Sequence, residues 1–366
     1  MIHSGFDATF GSIELSMVKR GHALFTEFVK SCRERDLSLP WAPSGALMLA
    51  TTAEELKGLE AVAEAARRND VAVQMLTPQQ VLAAEPHVRP AVMGGLLVPT
   101  EWSVDPWMYP ALLLSEAVSA GRCEMMSKFR VVRRIRSNRN STTLFAGDGR
   151  RVTVRCVVNC GGLKGDVVEE LRCGVGRAPF EVVPRLGRFV VFGDGARPLV
   201  SRALLPLPTK KTKGVILFRT VHGQVIIGPT AEDPSDPRLP QAKVQQLLID
   251  AAVGKVPTLP VSVSSVYAGA RPSLKGLSDY YITYDASEQW PTVAGVRSTG
   301  LTSSVALGEY AVEVLADAHR LVVRKDHPVP TGHAVRAAFQ SLVDKGILSV
   351  DHRHPISSEG WPRPHL

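Results

Sequence analysis

Apolar residues recur at the spacing of amphipathic helices in several segments of the chain. Thr77 precedes one of these segments as a capping residue, and Asp105 followed by Pro106 is typical of a helix start. Gly121 is a typical stop for the helix that Asp105 begins. The spacing therefore predicts helices over 12–36, 52–70, 77–86, 104–121, 241–253, 304–319 and 333–345.

Short apolar runs bounded by turn residues predict strands between these helices. They lie at 46–50, 94–99, 187–193, 214–221, 224–228, 261–270 and 292–296, with an antiparallel meander inside 123–160. Glycines at 147, 149 and 223 predict tight hairpin turns, because glycine adopts positive φ without strain. Consecutive strands joined by short turns indicate an α/β (α+β) protein with a large, mostly antiparallel sheet.

Composition changes this picture little. The chain has 366 residues, of which 45% are hydrophobic and 21% charged, as in an ordinary globular protein. No apolar run approaches the ~20 residues that cross a bilayer, so no transmembrane segment is predicted. The five cysteines include no Cys-x-x-Cys pair and no metal-type spacing with histidine, so no metal site is predicted. The pattern does not indicate an oligomeric state.

The net charge of +8 suggests an anionic partner. Basic clusters lie at 130–139 and 210–213, but only 6% of the residues are aromatic and no helix-turn-helix or finger spacing is present. We therefore expect a small anionic substrate and no nucleic acid. A basic nucleic-acid binder stays open as an alternative.

Two strand–turn–helix passages, 157–171 and 292–315, could carry chemistry. Gly161 and Gly162 leave bare backbone where a bulky ligand can lie, and the helix that follows offers N–H groups to anions. The second turn contains Arg297 and opens another helix, whose N-terminus stabilises negative charge. Each passage is equally compatible with a plain tight turn.

Three further side chains lie near strand ends. Arg271 ends a strand before Pro272, and its guanidinium matches anionic groups bidentately. Lys213 precedes an apolar hairpin, and His222 lies in its turn. A histidine in a hairpin turn is more often structural than catalytic.

Several stretches keep one order along residues 2–318: IHSGFDA, VDPW, VVNCGGLKGD, PRLGRF, TKGV with TVHGQVIIGPTAED, AGARP and GVRSTGLTSSVALGEY. Together they resemble the glycine-oxidase and D-amino-acid-oxidase superfamily of FAD-dependent oxidoreductases. Within it the chain is most similar to FAD-dependent glycerol-3-phosphate dehydrogenases of the anaerobic large-subunit type, followed by L-2-hydroxyglutarate dehydrogenases. The resemblance implies a FAD/NAD(P)-binding-type three-layer domain interleaved with a mostly antiparallel-sheet substrate domain.

The resemblance also implies domain boundaries. The partial FAD-binding domain is predicted at 1–35, 104–181 and 291–325, and the substrate-binding domain at 36–103 and 182–290. Residues 326–366 form a predicted C-terminal tail.

The family's Gly-x-Gly-x-x-Gly unit, which holds the ADP half of FAD, has no counterpart in this sequence. Met1 matches an internal position of the family pattern, so we expect the first βαβ unit to be missing. A gene model begun at an internal methionine explains this most simply, and a shortened, degenerate protein is the rival explanation. Weak FAD affinity is the predicted consequence.

The activity that the resemblance implies is hydride removal from a hydroxyl-bearing carbon of a small anion, glycerol 3-phosphate preferred, to flavin N5. An acceptor such as a quinone or O2 then takes the electrons. His3 and Arg271 are the implied catalytic residues, and Arg271, Arg297, Lys213 and Arg185 the implied substrate-binding residues. The implied FAD contacts are Ser4, Gly5, Gly161, Gly162, Gly300, Leu301 and Thr302.

Other interpretations stay open. L-2-hydroxyglutarate dehydrogenase activity and a pseudoenzyme that has lost FAD are the alternatives to glycerol 3-phosphate oxidation. A mitochondrial or cytoplasmic location is expected, and the terminal Pro-His-Leu only faintly resembles a peroxisomal address.

Overall fold

The computed structural model describes residues 1–138, 141–207, 214–233, 239–319 and 328–348. Helices and strands alternate irregularly along these ranges. The helices are α1 (Ile13–Glu34), α2 (Ala53–Arg68), α3 (Pro78–Ala84), α4 (Met108–Ser119), α5 (Gly165–Cys173), α6 (Gln241–Lys255), α7 (Gly300–His319) and α8 (Gly332–Asp344).

The strands form one large sheet and three small ones. They are β1 (Trp41–Ala42), β2 (Ala46–Ala50), β3 (Gln74–Leu76), β4 (Gly94–Val98), β5 (Ser103–Val104), β6 (Val131–Asn138), β7 (Ser141–Ala146), β8 (Arg151–Val154), β9 (Val182–Phe192), β10 (Ala203–Leu205), β11 (Ile216–Arg219), β12 (Val225–Gly228), β13 (Val263–Leu274), β14 (Tyr281–Asp285) and β15 (Trp290–Ala294). Every predicted helix and strand region contains an observed element.

The large sheet has the strand order β13-β9-β12-β11-β10-β2-β4-β3. All of its neighbouring pairs are antiparallel except β10 and β2. The predicted hairpin at Gly223 joins β11 to β12, with Gly223 at a φ of 88°. The prediction of a mixed α/β protein with a mostly antiparallel sheet is therefore confirmed.

The central strands of the large sheet are buried on both faces, where successive residues point to opposite sides. In β2, Leu47 packs into a core with α6, through Val244 and Leu248. Its neighbour Met48 packs on the opposite face with α2, through Leu59. The sheet is therefore the middle layer between helices, which fixes the position of its strand ends.

A second group of elements packs beside this layered unit. The helices α1 and α7 cross closely, and α4 packs on α8. The segment around Asn159 pairs in parallel with Thr292 of β15, and β14 continues that small sheet. The meander predicted inside 123–160 is the three-stranded sheet β6-β7-β8. The predicted domain boundaries are not tested by this arrangement and stay a prediction.

Two helix starts differ from the predicted ones. The helix α4 begins at Met108, but Asp105 still caps it, since its Oδ1 accepts hydrogen bonds from the backbone N–H groups of Trp107 and Met108, both at 2.9 Å. The helix α7 begins at Gly300 and not at residue 304. Its Gly-Leu-Thr sequence, which is typical of a turn, is instead the first helical turn.

The basic cluster at 130–139 lies mostly on β6, an edge strand of the three-stranded sheet. Arg134 and Arg136 both pair with Glu288, which neutralises part of its charge. The second cluster, 210–213, lies outside the described residues. Among the helices within the described ranges, none combines the length and the apolar character needed to cross a bilayer.

The crossing of α1 and α7 depends on Gly21. A Cβ atom there would lie 2.1 Å from the carbonyl oxygen of Thr302, a backbone atom that has no room to move. Gly308, on α7 itself, has no atom within 4 Å of its Cβ position. We expect Gly21→Ala to lower the free energy of unfolding by about 1–3 kcal/mol, because the helices must separate. The matched control Gly308→Ala should raise it by up to about 1 kcal/mol. Urea unfolding measures both, and equal effects would contradict the close crossing.

Candidate functional site

The segment at residues 2–5 is fixed by a buried carboxylate. Glu101 is 1% exposed, and its Oε1 accepts hydrogen bonds from the Ser4 backbone N–H at 2.6 Å and from the Ser4 hydroxyl at 2.8 Å. Its Oε2 lies 2.8 Å from His3 Nδ1. Burial opposes ionisation of Glu101, but the His3 ring and these donors outweigh it, so its pKa lies below the ordinary 4.5. His3 and Ser4 are thus held side by side.

Gly5 turns the chain away from this carboxylate. Its φ of 86° is a conformation that glycine adopts readily. The side-chain amide of Asn69 donates hydrogen bonds to the carbonyl oxygens of Gly5 and Ala8, at 2.9 and 2.8 Å. The turn therefore exposes the His3 ring, which is 23% accessible, while Ser4 stays buried.

The N-terminus of α7 meets this segment. The backbone N–H of His3 donates to Thr302 Oγ1 at 2.9 Å, and Thr302 is fully buried. The first N–H groups of a helix have no partner within it. Among the described residues, no acceptor bonds the backbone N–H groups of Gly300, Leu301 or Thr302. These donors and the helix dipole favour an anionic or electron-accepting group at this place.

A polar network supports the same end of α7. The hydroxyl of Thr299 donates to Glu14 Oε1 at 2.6 Å, and the Tyr280 hydroxyl lies 2.6 Å from Thr299 Oγ1 and 3.0 Å from Ser303 Oγ. Burial raises the pKa of Tyr280, so it stays a neutral hydroxyl. Arg297 joins this network, since its Nη2 contacts the Ser278 carbonyl and lies 3.3 Å from Glu14 Oε2.

The passage at 157–171 contains the predicted glycine turn, followed by a short 3-10 turn before α5. Asn159 Oδ1 accepts from the Gly161 N–H at 3.0 Å, which holds the turn. Gly162 has a φ of 55°, and its Cβ position is open, so bare backbone faces outward there. This agrees with the predicted room for a bulky ligand.

Glu169 on α5 accepts hydrogen bonds from four side chains near that turn. Its Oε2 accepts hydrogen bonds from Asn159 Nδ2 at 2.9 Å, Thr292 Oγ1 at 2.8 Å and Trp290 Nε1 at 3.2 Å. Its Oε1 accepts from Arg172. Because these donors come from separate parts of the chain, Glu169 joins the glycine turn to β15.

The predicted anion-binding arginines lie on the large sheet. Arg271 of β13 is directly opposite Arg185 of β9. Like charges in this position destabilise an antiparallel pair. Arg185 Nε pairs with Asp233 at 2.8 Å, whereas Arg271 Nη2 donates to the carbonyl oxygen of Thr230 at 3.1 Å. Burial and the charge of Arg185 both lower the pKa of Arg271.

The structure thus sorts the predicted site residues into separate groups. It brings His3, Ser4, Gly5, Gly300, Leu301 and Thr302 together, and it pairs Arg271 with Arg185. Arg297 lies with Glu14, and Lys213 lies outside the described residues. The functional roles of all of these residues stay predictions.

The sequence did not predict two buried acids or the contact between a histidine and an aspartate. Glu101 and Glu169 are buried hubs, and their signal is only an acid close to apolar residues, in GGLLVPTEW and GDVVEELRC. His222 Nε2 lies 2.8 Å from Oδ2 of the fully buried Asp105, which ties the β11–β12 hairpin to the start of α4. This supports the structural interpretation of His222. Within the described ranges, no group of three or more His, Cys, Asp or Glu side chains could hold a metal ion.

A sequence profile of the DAO family, described as FAD dependent oxidoreductase, matches residues 1–314. The chain belongs to this family. Its cofactor is therefore FAD, and the predicted family is confirmed.

Among curated proteins, a glycerol 3-phosphate dehydrogenase of Caloramator mitchellensis is 28% identical over 348 residues, covering 92% of this chain and 68% of the relative. A glycerol 3-phosphate oxidase of Mycoplasma pneumoniae is 26% identical, covering 66% of this chain and 64% of the relative. A mitochondrial L-2-hydroxyglutarate dehydrogenase of Nematostella vectensis is 24% identical over 63% of this chain, which spans about half of that relative, 52%.

Among solved structures, the reduced L-alpha-glycerophosphate oxidase of Mycoplasma pneumoniae with FAD bound has a TM-score of 0.78. The alignment covers 90% of this chain and 85% of that one at 23% identity. A likeness at this identity concerns the fold, and it agrees with the DAO family match.

The residues present fit part of FAD. The N–H groups at the start of α7 suit its acceptor oxygens, and the open backbone at Gly162 leaves room beside a ring or chain. His3 lies against the same helix start, through its bond to Thr302. The residues that would hold the cofactor are therefore the predicted ones at 300–302, with the glycine turn as a second contact.

Glu169 supplies a prediction on stability. Burial opposes its ionisation, but hydrogen bonds from Asn159, Thr292 and Arg172 outweigh it, so the pKa of the carboxyl lies below 4.5. We expect Glu169→Gln to lower the free energy of unfolding by about 1–3 kcal/mol near neutral pH, because an amide cannot accept every donor. The carboxylate's contribution is fully present above pH 4.5 and is lost as the pH falls through its lowered pKa.

The difference between wild type and Glu169→Gln should therefore shrink in acid. Urea unfolding at about pH 7 and about pH 3.5 measures it. The exposed Glu60→Gln on α2 is the control and should change little at either pH. A difference that is the same at both pH values would contradict the assigned role of the carboxylate.

Proposed function

We propose that this protein oxidises glycerol 3-phosphate with FAD as its cofactor. When bound, FAD would supply a two-electron acceptor, flavin N5, for the hydride of the carbon that bears the hydroxyl group. The hydroxyl proton leaves separately, so the organic product is the corresponding ketone. The proposal names a quinone or O2 as the acceptor that would take these two electrons from the reduced cofactor.

The observation that carries this proposal is the state of Arg271. Its guanidinium is partly buried, and its pKa is lowered by burial and by Arg185. Within the described residues, no carboxylate pairs with it, and its Nη2 donates to the Thr230 carbonyl oxygen. A partly buried cation opposite a second cation is unfavourable unless an anion joins them. A substrate phosphate would meet this need, with bidentate contacts from the guanidinium.

The surface around Arg271 supports a ligand site. A Cβ atom at Gly187, on the neighbouring strand, would lie 2.9 Å from Arg271 Nη2, so the guanidinium covers that glycine. Gly269, two residues before Arg271 on the same face of β13, has open space at its Cβ position. The rings of Tyr267 and Phe189 stack farther along the two strands, with centroids 4.6 Å apart. Arg271 is thus followed along the strand by the open space at Gly269 and then by the stacked rings of Tyr267 and Phe189.

His3 supplies the base in this proposal. An imidazole is suited to proton transfer near neutral pH. Its backbone is held at the start of α7 by Thr302, where the open N–H groups suit FAD. Ser4 and Gly5 fix the direction of the segment. Arg297 lies with Glu14, and its proposed role in substrate binding rests on the family resemblance.

The choice of glycerol 3-phosphate follows from the relatives. The glycerol 3-phosphate dehydrogenase matches 92% of this chain, whereas the L-2-hydroxyglutarate dehydrogenase matches 63%. The two arginines accept either a phosphate or a carboxylate, so they support the anionic class and leave the choice within it to these relatives. L-2-hydroxyglutarate is therefore the comparison substrate.

Anaerobic reduction tests the function directly. The full chain is incubated with excess FAD, freed of unbound cofactor and mixed with substrate, and the flavin absorbance band is followed. We expect glycerol 3-phosphate to bleach the band faster than L-2-hydroxyglutarate. Faster bleaching by L-2-hydroxyglutarate would show that this compound, and not glycerol 3-phosphate, is the preferred substrate. No bleaching of a FAD-loaded chain by either compound would overturn the proposed function.

Arg271→Ala is the matching substitution. We expect it to raise the KM for glycerol 3-phosphate by about 10²-fold or more, because it removes a charge-assisted bidentate contact of the order of 3 kcal/mol. Arg271→Lys should recover part of this, since it keeps the charge but not the fork. Arg67→Ala, an exposed arginine on α2, is the control and should leave KM unchanged. Unchanged KM in Arg271→Ala would contradict the assigned contact.

A further inference from the structure

Glu101 constrains the protons of its neighbours. Its pKa lies below the ordinary value, so near neutral pH it is a carboxylate, which accepts hydrogen bonds and cannot donate them. Both carboxylate oxygens have partners. Oε1 accepts hydrogen bonds from the backbone N–H and the hydroxyl of Ser4, and Oε2 lies 2.8 Å from His3 Nδ1. The Nδ1 atom must therefore carry the hydrogen of this bond.

A neutral imidazole has one N–H group and one acceptor nitrogen. With the hydrogen on Nδ1, the acceptor is Nε2, at the other side of the ring. No described residue bonds Nε2, and the His3 side chain is 23% exposed. We propose that Glu101 is a positioning residue that fixes the tautomer of His3, so that Nε2 stands free to accept the substrate's hydroxyl proton. This inference rests on the proposed function for the identity of that proton.

The geometry predicts what an amide would do in place of the carboxylate. In Glu101→Gln, the position of Oε1 still faces the N–H and hydroxyl donors of Ser4, so the amide oxygen belongs there. The NH2 group then takes the position of Oε2 and donates to His3 Nδ1. The ring must move its hydrogen to Nε2, which is no longer a proton acceptor. The substitution therefore reverses the tautomer with little change in shape.

Nuclear magnetic resonance shows which ring nitrogen of His3 carries the hydrogen, and the measurement needs no cofactor. The full chain is labelled with ¹⁵N-histidine, the His3 signals are assigned by their loss in His3→Gln, and spectra are recorded across a pH series up to alkaline pH. We expect the hydrogen on Nδ1 in wild type and on Nε2 in Glu101→Gln. A hydrogen on Nε2 in wild type, or the same tautomer in both proteins, would overturn the inference.

Two further variants separate positioning from packing. Ser4→Ala removes one donor to Oε1 but keeps the carboxylate and the Ser4 N–H, so the wild-type tautomer should persist. Glu101→Asp keeps an acceptor-only group on a shorter side chain, and the hydrogen should stay on Nδ1. If Glu101→Gln does not fold, judged by circular dichroism, these two variants still decide: a tautomer reversed in either of them would contradict control by the carboxylate.

The kinetic consequence falls on the chemical step. With FAD loaded, we expect Glu101→Gln to slow flavin reduction by glycerol 3-phosphate by about 10²–10⁴-fold at unchanged substrate affinity; the upper value is the loss that the corresponding acid-to-amide change causes behind the histidine of a serine protease. Reduction at the wild-type rate would overturn the inference.

The two proposals can fail separately. If glycerol 3-phosphate reduces neither protein but the tautomer reverses, the proposed function falls and the positioning by Glu101 stands. If wild type is reduced and the tautomer does not respond to Glu101→Gln, the function stands and the positioning falls.

Discussion

A carboxylate that is removed from water must find hydrogen-bond donors, and this requirement organises the N-terminal segment and its contact with α7. Glu101 can be buried only because residues 3 and 4 of the chain supply three donors to it. The path of the N-terminal segment follows from this, since each donor restricts where the backbone can run. The His3 ring and the start of α7 then lie together, because the same segment also donates to Thr302.

Glu14 and Glu169 repeat this design at two other joints. Glu14 binds Thr299 and Arg297 across the α1–α7 crossing. Glu169 binds the glycine turn and β15 at once. Each acid therefore joins segments that are far apart in the chain. The central strands of the large sheet, in contrast, are held by apolar layers on both faces.

This difference between apolar packing and joints made by single acids explains how much of the structure the sequence could predict. Periodicity predicted the helices and the antiparallel sheet, because apolar burial leaves a repeating pattern in nearby residues. It set the start of α7 too late, since Gly300 and its neighbours have turn-like propensities that packing against Gly21 overrides. The roles of Glu101 and Glu14 depend on contacts with residues 97 and 285 positions away, and no local pattern encodes them.

The pair of Arg271 and Arg185 shows why the sequence predicts such an arrangement only in part. Arg271 could be selected from the sequence, because a guanidinium at a strand end suggests an anion. Its position opposite Arg185 depends on the register of β9 and β13, which are far apart in the chain. That register places two like charges together, and the fold tolerates it because Asp233 neutralises one of them. The remaining charge lowers the stability of the ligand-free protein, so an anion that binds there must stabilise the folded state by mass action. Under the proposed function, the same repulsion that weakens the sheet would contribute to affinity for an anionic substrate.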